Sequence, residues 1–535
     1  MKTDTHKAIP NSTTATTATT AAGRRHDACG QAIPTLGPAL GRALARRPAV
    51  ATGHRARLLP WGLALSTLAF GHAGVHAQSS AEASTAAEPS SVERAHALDE
   101  KYNYKGWITN FPSFAATMTA DEGHWRSKLA EHGFALSMQG ATIAQANMLN
   151  RPSRIPSTGY LPCQSYNLGY NCAGGRSYFG QRPGAKIAAS TYLTYDMSRH
   201  GVPDGQIAVA YNFGISSDQS YSGNSHRFNA LSWYQTLFDR KLELKAGYFA
   251  TSPEFAGTNV GGFVVNPFGP SASIPIVYGM TPNSMATPAL KLKWNLSKAL
   301  YVQGLVQRSL PVRTTTGNSI YEETTTNPTG LSFQSDYPGT RQLYAVEAGH
   351  KVLSAPDQPF HWLRGGVLHN TSDFTDYKSA AQGVSATTRG STGFYILGDY
   401  QITQPKPTRA EAYKGIYVGA SFMYGDPKTT AFTQYYEARA YWFAPLDARP
   451  NDFMSVVYLH NRTSKYTQAV INARSSITNL TANKDANALT ASYTYYIRRG
   501  LYSTFGITYT DHPSFQRFKG EGSALSALWS MYFLL

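Results

Sequence analysis

Residues Ser523 to Leu535 read SALSALWSMYFLL. Leu525, Ala527, Trp529, Met531, Phe533 and Leu535 alternate with Ser526, Leu528, Ser530, Tyr532 and Leu534. One face is therefore apolar throughout, and the other is mixed and largely small or hydroxylated. Side chains that alternate with a period of two belong to a strand. The stretch is long enough to span a bilayer, for which a β-strand needs about 9–11 residues. The competing reading is an edge strand of a soluble sandwich, and the rest of the chain decides between them.

Composition favours a closed membrane barrel. Of 535 residues, 15% are charged and 12% aromatic, with 34 Tyr and 46 Gly. A helical membrane protein needs runs of about 18 or more apolar residues, and none is present. The chain is too aromatic and too poor in charge for disorder. A barrel alternates lipid-facing and water-facing side chains along each strand, so the slightly negative mean hydropathy of −0.32 hides its membrane character.

The first 77 residues read as an export leader. Arg46, Arg47, Arg55 and Arg57 precede the apolar core Leu58 to Phe70, and Val75-His76-Ala77 offers a small-x-small cleavage site. Residues 1 to 45, Thr/Ala-rich and basic, are longer than a leader needs, so the reading allows a later true start. The Arg46-Arg47 pair hints at twin-arginine export, a route for folded proteins, whereas a barrel with a lipophilic exterior should cross unfolded. Without the leader the chain keeps 39 Lys and Arg against 30 Asp and Glu, a net charge of about +9. Basic excess can signal nucleic acid, but no basic cluster, helix-turn-helix or RNA-binding stretch accompanies it, and lumen and loop positivity accounts for it. Cys163 and Cys172 are the mature chain's cysteines, in a turn-rich segment, and read as a loop disulfide in an oxidising compartment. Zinc is the weaker alternative, because no His lies at ligand spacing.

Residues 78 to 132 read as a periplasmic tether and a short helix. Residues 78 to 100 are small and polar, and Thr119-Ala120-Asp121-Glu122 has capping-box form, with Gly133 placed to close the helix. From residue 133 to 535, alternating stretches recur near 133–148, 184–197, 205–214, 229–239, 241–250, 287–296, 300–310 and 341–353. They continue at 360–374, 392–403, 414–425, 431–446, 451–464, 486–497, 501–513 and 523–535. The count is sixteen.

The connections test this count. Those at 149–183, 215–228, 251–286, 311–340, 375–391, 465–485 and 514–522 are long or rich in Gly, Ser and Asn, and those between them are short. Two fit poorly: 426–430 is short for an outer loop and 404–413 is long for a turn. Long and short connections alternate in outer-membrane barrels, with extracellular loops and periplasmic turns. A soluble sandwich has no reason to keep that parity. The expected fold is all-β: a transmembrane antiparallel barrel of sixteen strands, with a short N-terminal periplasmic helix. Such a barrel leaves a water-filled channel.

Faces follow from the strands. Phe394, Ile396 and Tyr400 point to lipid, so Asp399 and Gln401 point inward. Glu437, Arg439 and Tyr441 take the lumen parity of their strand, as do Lys245 beside Glu243, and Glu347. A cation facing mid-bilayer lipid costs about 2–4 kcal/mol, so charges confined to one parity support the assignment. A pore selects by diameter and by the groups at its narrowest ring. Sugars need carboxylates, guanidinium groups and amides for their hydroxyls, and aromatic rings for their C–H faces. Loop 251–286 contributes Glu254, Phe255, Asn259, Phe263, Asn266, Phe268 and Tyr278, and its length suits it to fold inward and narrow the channel. The plainer alternative is that inward charges form only a solvated wall.

Catalytic motifs are missing. His460-Asn461 with Ser464 is similar to the Ser/His/Asn set of an outer-membrane phospholipase, but the three do not share one strand face. Metal-ligand spacing, phosphate-binding loops and cofactor motifs are absent, so no cofactor is expected.

Several stretches resemble the OprB-like carbohydrate-selective porins of Gram-negative outer membranes. Trp125 to Phe134 (WRSKLAEHGF) is similar to that family's opening helix and first strand, and Leu237 to Phe255 (LFDRKLELKAGYFATSPEF) to its Phe-Asp-x-Lys-Leu hairpin. Gly393 to Gln401 and Phe443 to Ser464, with Arg449-Pro450-x-Asp452, resemble its later strands and a periplasmic turn. The resemblance implies a sixteen-stranded barrel that admits glucose or related sugars through a narrow constriction bearing arginine and carboxylates. Glu437 and Arg439 match the family's inward polar parity. Three departures stand out. Ala488 to Ile497 (ALTASYTYYI) lacks the family's glutamates, His512-Pro513-Ser514-Phe515-Gln516 stands for its Gln-Pro-x-x-Gln, and Leu535 replaces the terminal Phe. The expected function is passive diffusion of small hydrophilic solutes, sugars first, with a general or organic-anion porin as the alternative. The expected partners are these solutes, outer-membrane lipid and the barrel assembly machinery, with no nucleic acid, and porins of this size often form homotrimers.

Overall fold

A computed structural model describes residues 88–107, 111–149, 155–156, 178, 180–217, 225–257, 274–313 and 319–535. The leader, the Cys163–Cys172 pair, and Asn259, Phe263, Asn266 and Phe268 lie outside the described residues. Sixteen antiparallel strands close into a barrel. In chain order they are β1 (Phe134–Asn147), β2 (Gly184–Asp196), β3 (Gln206–Ser216), β4 (Ser225–Leu237), β5 (Leu242–Phe249) and β6 (Thr287–Asn295). Next come β7 (Leu300–Arg308), β8 (Gln342–Val352), β9 (His361–Thr375), β10 (Thr387–Gln401) and β11 (Gly415–Gly425). The last are β12 (Phe432–Phe443), β13 (Phe453–Thr463), β14 (Asp485–Arg498), β15 (Leu501–Thr510) and β16 (Ala524–Leu534). Leu480–Ala482 and Gln516–Phe518 form a separate two-stranded ribbon between two long loops.

The stretch quoted first is β16, and it closes the barrel by pairing with β1 from Gln139↔Leu534 to Asn147↔Ser526. Ser526, Leu528, Ser530, Tyr532 and Leu534 face inward and are buried, while Leu525, Ala527, Trp529, Met531 and Phe533 face out. Closure leaves no free sheet edge, which a bilayer would not tolerate. The outward positions of every strand supply an apolar belt, as Tyr344 and Val346 of β8 and Leu363 and Val367 of β9 illustrate.

Each strand stands within a few residues of its expected place. β4 and β10 begin several residues early, and β10 carries an irregularity in its pairing between Arg389 and Ser391. The two ill-fitting connections keep their unusual lengths. The long turn after β10 is held by Gln401, whose Nε2 donates to the carbonyls of Ala412 (2.7 Å) and Lys414 (3.0 Å).

The N-terminal segment is more ordered than a flexible tether. Its first helix, α1 (Ser91–Tyr102), lies inside the stretch read as tether and is capped by a reciprocal box of Ser90 and Glu93. The second, α2 (Trp125–Glu131), starts later than Thr119 suggested, because the Asp121 carboxylate, not the Thr119 hydroxyl, accepts the backbone N–H groups of Arg126 and Ser127. Gly133 closes it with φ +85°, as expected. Both helices sit at the short-turn end. Lys101 pairs with Asp196 (2.9 Å), and the backbone N–H of Met118 donates to the Leu534 carbonyl (2.8 Å).

Candidate solute pathway through the barrel

Among the described residues, two segments run along the inner wall and meet. The first is the third long connection, residues 250–286, whose described parts are 250–257 and 274–286. It carries a short helix, α3 (Ile274–Val277). Phe255, Ile274, Ile276, Tyr278 and Met280 are buried in one cluster with inward-facing Leu305, Leu343, Leu368, Tyr395, Leu397, Met423 and Leu459. The loop thus packs its apolar side chains onto the wall from β7 to β13. Polar bonds fix its path: Arg364 donates to the Phe255 carbonyl (2.6 Å) and the Gly257 carbonyl, and Gln303 Nε2 to the Glu254 carbonyl (2.8 Å). Asn370 Nδ2 reaches the Tyr278 carbonyl (2.6 Å), and Tyr278 Oη donates to the Thr392 carbonyl (2.7 Å).

The second is the stretch Asn103–Trp107 of the N-terminal segment, which lies against the wall from β2 to β6. Tyr104 packs on Tyr192 with ring centroids 5.0 Å apart and clusters with Ala208, Ala210 and Ala230. Trp107 and Phe111 extend this aromatic group.

The two segments meet at a charge cluster. Lys245 of β5 and Lys291 of β6 are direct cross-strand partners, a like-charged pairing that is unfavourable by itself. Glu254, from the loop, stands between them, with Nζ–Oε distances of 2.5 Å to each. The N-terminal segment completes the shell: Lys245 also donates to Tyr104 Oη (2.9 Å) and the Lys105 carbonyl (3.2 Å), and Lys291 to the Gly106 carbonyl (2.5 Å). All three charged side chains are at most 1% exposed. Buried charges persist only when paired and hydrogen-bonded.

A second cluster crosses β10 to β12. Asp399, Gly419 and Arg439 fall in one row of the sheet. Arg439 donates from Nε to Asp399 Oδ1 (2.8 Å) and from Nη2 to Oδ2 (2.8 Å), and from Nη1 to Glu437 Oε1 (2.6 Å) and Ser421 Oγ (2.8 Å). A fifth bond, Nη2 to the Gly398 carbonyl (3.2 Å), occupies its last donor. Tyr441 Oη donates to Asp399 Oδ1 (3.0 Å), and Tyr435 to Glu437. Arg439 therefore has no N–H left for a solute, and it braces the wall.

A third cluster centres on Glu347 of β8. Its carboxylate accepts from Tyr301 Oη (2.9 Å), Gln303 Nε2 (2.9 Å) and Tyr395 Oη (2.7 Å). Gly349 and Gly366 make room for these rings: a Cβ on either would lie within 2.5 Å of Tyr301 or Tyr395. Toward the long-loop end, Arg308 forks onto Glu323 (2.6 and 3.0 Å) of the helix Ser319–Thr326, named α4 here. The opposite wall, β13 to β15, is uncharged inside. Its hydroxyls pair across strands as Ser455–Ser492 (2.9 Å), Thr490–Thr508 (2.8 Å) and Thr494–Thr504 (2.8 Å).

Of the expected site residues, Asp399, Glu437, Arg439 and Tyr441 come together in one network, and Lys245 and Glu254 in another. Glu347 anchors the third. Phe255 belongs to the loop's apolar core, and Gln401 braces the turn at the short-turn end. Residue reading missed Lys291, Tyr104, Arg364 and the inward glycines. The glycines had a signal, since a Gly inside a strand often marks the close approach of another group.

The model of the carbohydrate-selective porins, OprB family, matches residues 184–526 of the chain. Among solved structures, the high-pH structure of Pseudomonas putida OprB is similar, with a TM-score of 0.61 and 15% identity over 81% of this chain and 99% of that one. That likeness speaks to the fold. The low-pH structure of the same protein gives 0.45 at 14% identity, covering 78% and 98% of the two chains. The outer membrane channel DcaP of Acinetobacter baumannii gives 0.41 at 10% identity, covering 76% and 98%. No curated protein sequence matches the chain.

Proposed function

This chain belongs to the OprB family of carbohydrate-selective porins, and from that membership we propose that solutes pass between its two inserted segments and its hydroxyl-lined wall. It is an outer-membrane channel for small hydrophilic solutes, carbohydrates among them. The observation that carries the proposed path is the meeting of the inward loop and the N-terminal segment at Glu254, Lys245 and Lys291. Among the described residues, loop and segment pack chiefly on the wall from β2 to β13, with the segment also reaching β1 and β16 at the short-turn end, and the proposed path runs along the hydroxyl-bearing face of β13 to β16. Hydroxyls there offer a sugar both donors and acceptors without the cost of stripping water from a charge.

In this reading the lost family glutamates of β14 are replaced by Thr490, Ser492 and Thr494, and selection falls on neutral rather than charged sugars. No catalytic step is assigned. His460 faces outward with Nδ1 2.7 Å from Asn487 Oδ1, Asn461 is buried on the inward face, and Ser464 caps the helix Lys465–Ala473. Export by a leader ending at Ala77, insertion by the barrel assembly machinery and a homotrimeric assembly belong to the same proposal.

Planar-bilayer conductance with the purified full-length protein tests it. Current blocked by neutral hexoses in the millimolar range supports the path. Conductance indifferent to sugars and strongly anion-selective would replace it with the organic-anion reading.

A further inference from the structure

The outward face of the barrel holds a polar notch at the long-loop end of β9, β10 and β11. It has a volume of about 520 Å³ and is lined by His369, Thr371, Arg389, Gly390, Thr392 and Asp426, among others. The notch arises where β10 departs from regular pairing between Arg389 and Ser391, around Gly390 with φ +78°. A bulge of this kind turns neighbouring side chains away from their regular direction.

Its level in the membrane follows from the neighbouring side chains. Val367 on β9 and Phe394 and Ile396 on β10 belong to the exposed apolar belt. The next outward-facing positions toward the long loops are His369 and Thr392, and both are polar. The notch therefore begins where the hydrocarbon ends, at the depth of lipid headgroups.

Its chemistry is cationic. His369 Nδ1 lies 2.9 Å from Thr392 Oγ1, which orients the ring and leaves Nε2 toward the notch. Arg389 is exposed, and among the described residues its guanidinium makes no hydrogen bond or ion pair. The one acidic lining residue, Asp426, already accepts the backbone N–H of Lys428 (2.9 Å) on its carboxylate. A free guanidinium beside an imidazole suits a phosphate, which takes two N–H groups of the arginine fork at once. Basic pockets at headgroup depth bind phosphorylated lipid.

We propose that this notch seats a phosphate group of an outer-leaflet glycolipid, with Arg389 as the fork and His369 as the second donor. Free inorganic phosphate offers the same chemistry, and the test separates the two sources. The folded full-length protein in detergent is titrated with Kdo2-lipid A, with its dephosphorylated form and with inorganic phosphate, and bound lipid is counted by native mass spectrometry. Wild type should bind the phosphorylated lipid, and the Arg389→Ala/His369→Ala double variant should bind it at least about tenfold more weakly. Dephosphorylated lipid should match that loss on wild type. Arg389→Glu, a change at an exposed side chain, should lose as much or more, and Arg462→Ala, on the same face but away from the notch, should lose nothing. Equal binding by the double variant overturns the proposal. So does equal binding of the dephosphorylated lipid, or inorganic phosphate binding as tightly as the lipid. None of these readouts depends on conductance, so they stand apart from the test of the solute path.

Discussion

Arg439 reaches Asp399 across an intervening strand, and Gly419 is the residue that lets it pass. The three share a row of the sheet, and a Cβ on Gly419 would lie 2.3 Å from Asp399 Oδ1 and 2.6 Å from Arg439 Nε. Gly419→Ala should therefore break the fork without removing a charge. The expected result is a lower unfolding midpoint in detergent than wild type, with reversal potential changed less than by Arg439→Ala.

Arg439→Ala removes the one cation from a group that holds two carboxylates, Asp399 and Glu437. Leaving buried charges unpaired costs about 3–5 kcal/mol, and the lumen becomes more negative. Reversal potentials in a KCl gradient should move toward cation selectivity. An unchanged value would place Arg439 outside the ion path.

Glu254→Gln should act in the opposite direction. Lys245 and Lys291, cross-strand partners, would face each other without the carboxylate between them. Greater anion selectivity and a looser loop are expected, and larger, noisier single-channel currents would report both. Tyr104→Phe removes one acceptor from Lys245 and should give a smaller shift of the same sign.

Tyr278→Phe tests the loop's anchor. Its hydroxyl bonds the Thr392 carbonyl (2.7 Å) and accepts the backbone N–H of Asp426 (3.0 Å). Each bond is worth about 1 kcal/mol, so the barrel should still form. Open-channel noise should rise while ion selectivity holds, because no charge is altered.

At the short-turn end, the Asp452 carboxylate is buried, which raises its pKa. Hydrogen bonds from Arg449, Tyr493 and the Tyr496 backbone outweigh that and hold it below the usual range. A depressed carboxylate stabilises the folded state above its unfolded value, about 3.9, and the stabilisation fades as pH falls through the lower folded value. Asp452→Asn should therefore unfold earlier than wild type at pH 7, and the difference should shrink in strongly acidic buffer. A constant difference at all pH values would mean that packing, not charge, sets the loss.

Removing Phe533 to Leu535 tests closure. Leu535 exchanges backbone bonds with Met138 (2.7 and 2.8 Å), and the Leu534 carbonyl accepts from Met118. The truncated chain should fail to reach the heat-resistant barrel form in membrane fractions.

Strands were legible because a bilayer on one side and water on the other force a period of two, and a mistake of one residue would turn Glu347 or Arg439 toward lipid. Register was not legible. Nothing in the neighbourhood of Lys245 names Lys291 as its partner, since that pairing depends on the length of the loop between β5 and β6. Gln401 shows the same limit from the other side: its inward parity was right, but its depth placed it against the turn at Ala412 and Lys414. The helix Ser91–Tyr102 hid in a polar, small-residue stretch because its stability comes from its cap and from docking rather than from an apolar stripe.

The N-terminal segment touches both sides of the line where the barrel closes. Tyr104 and Gly106 rest on β2, β5 and β6, while Met118 and Thr117 are held by Leu534 of β16 and by Arg499 in the turn before β15. Half of that seat comes from the first strands made and half from the last. A growing or half-inserted sheet can offer the segment only one of them. Full protection of residues 103–107 and 111–118 from protease would therefore mark the moment at which the two ends of the sheet have joined.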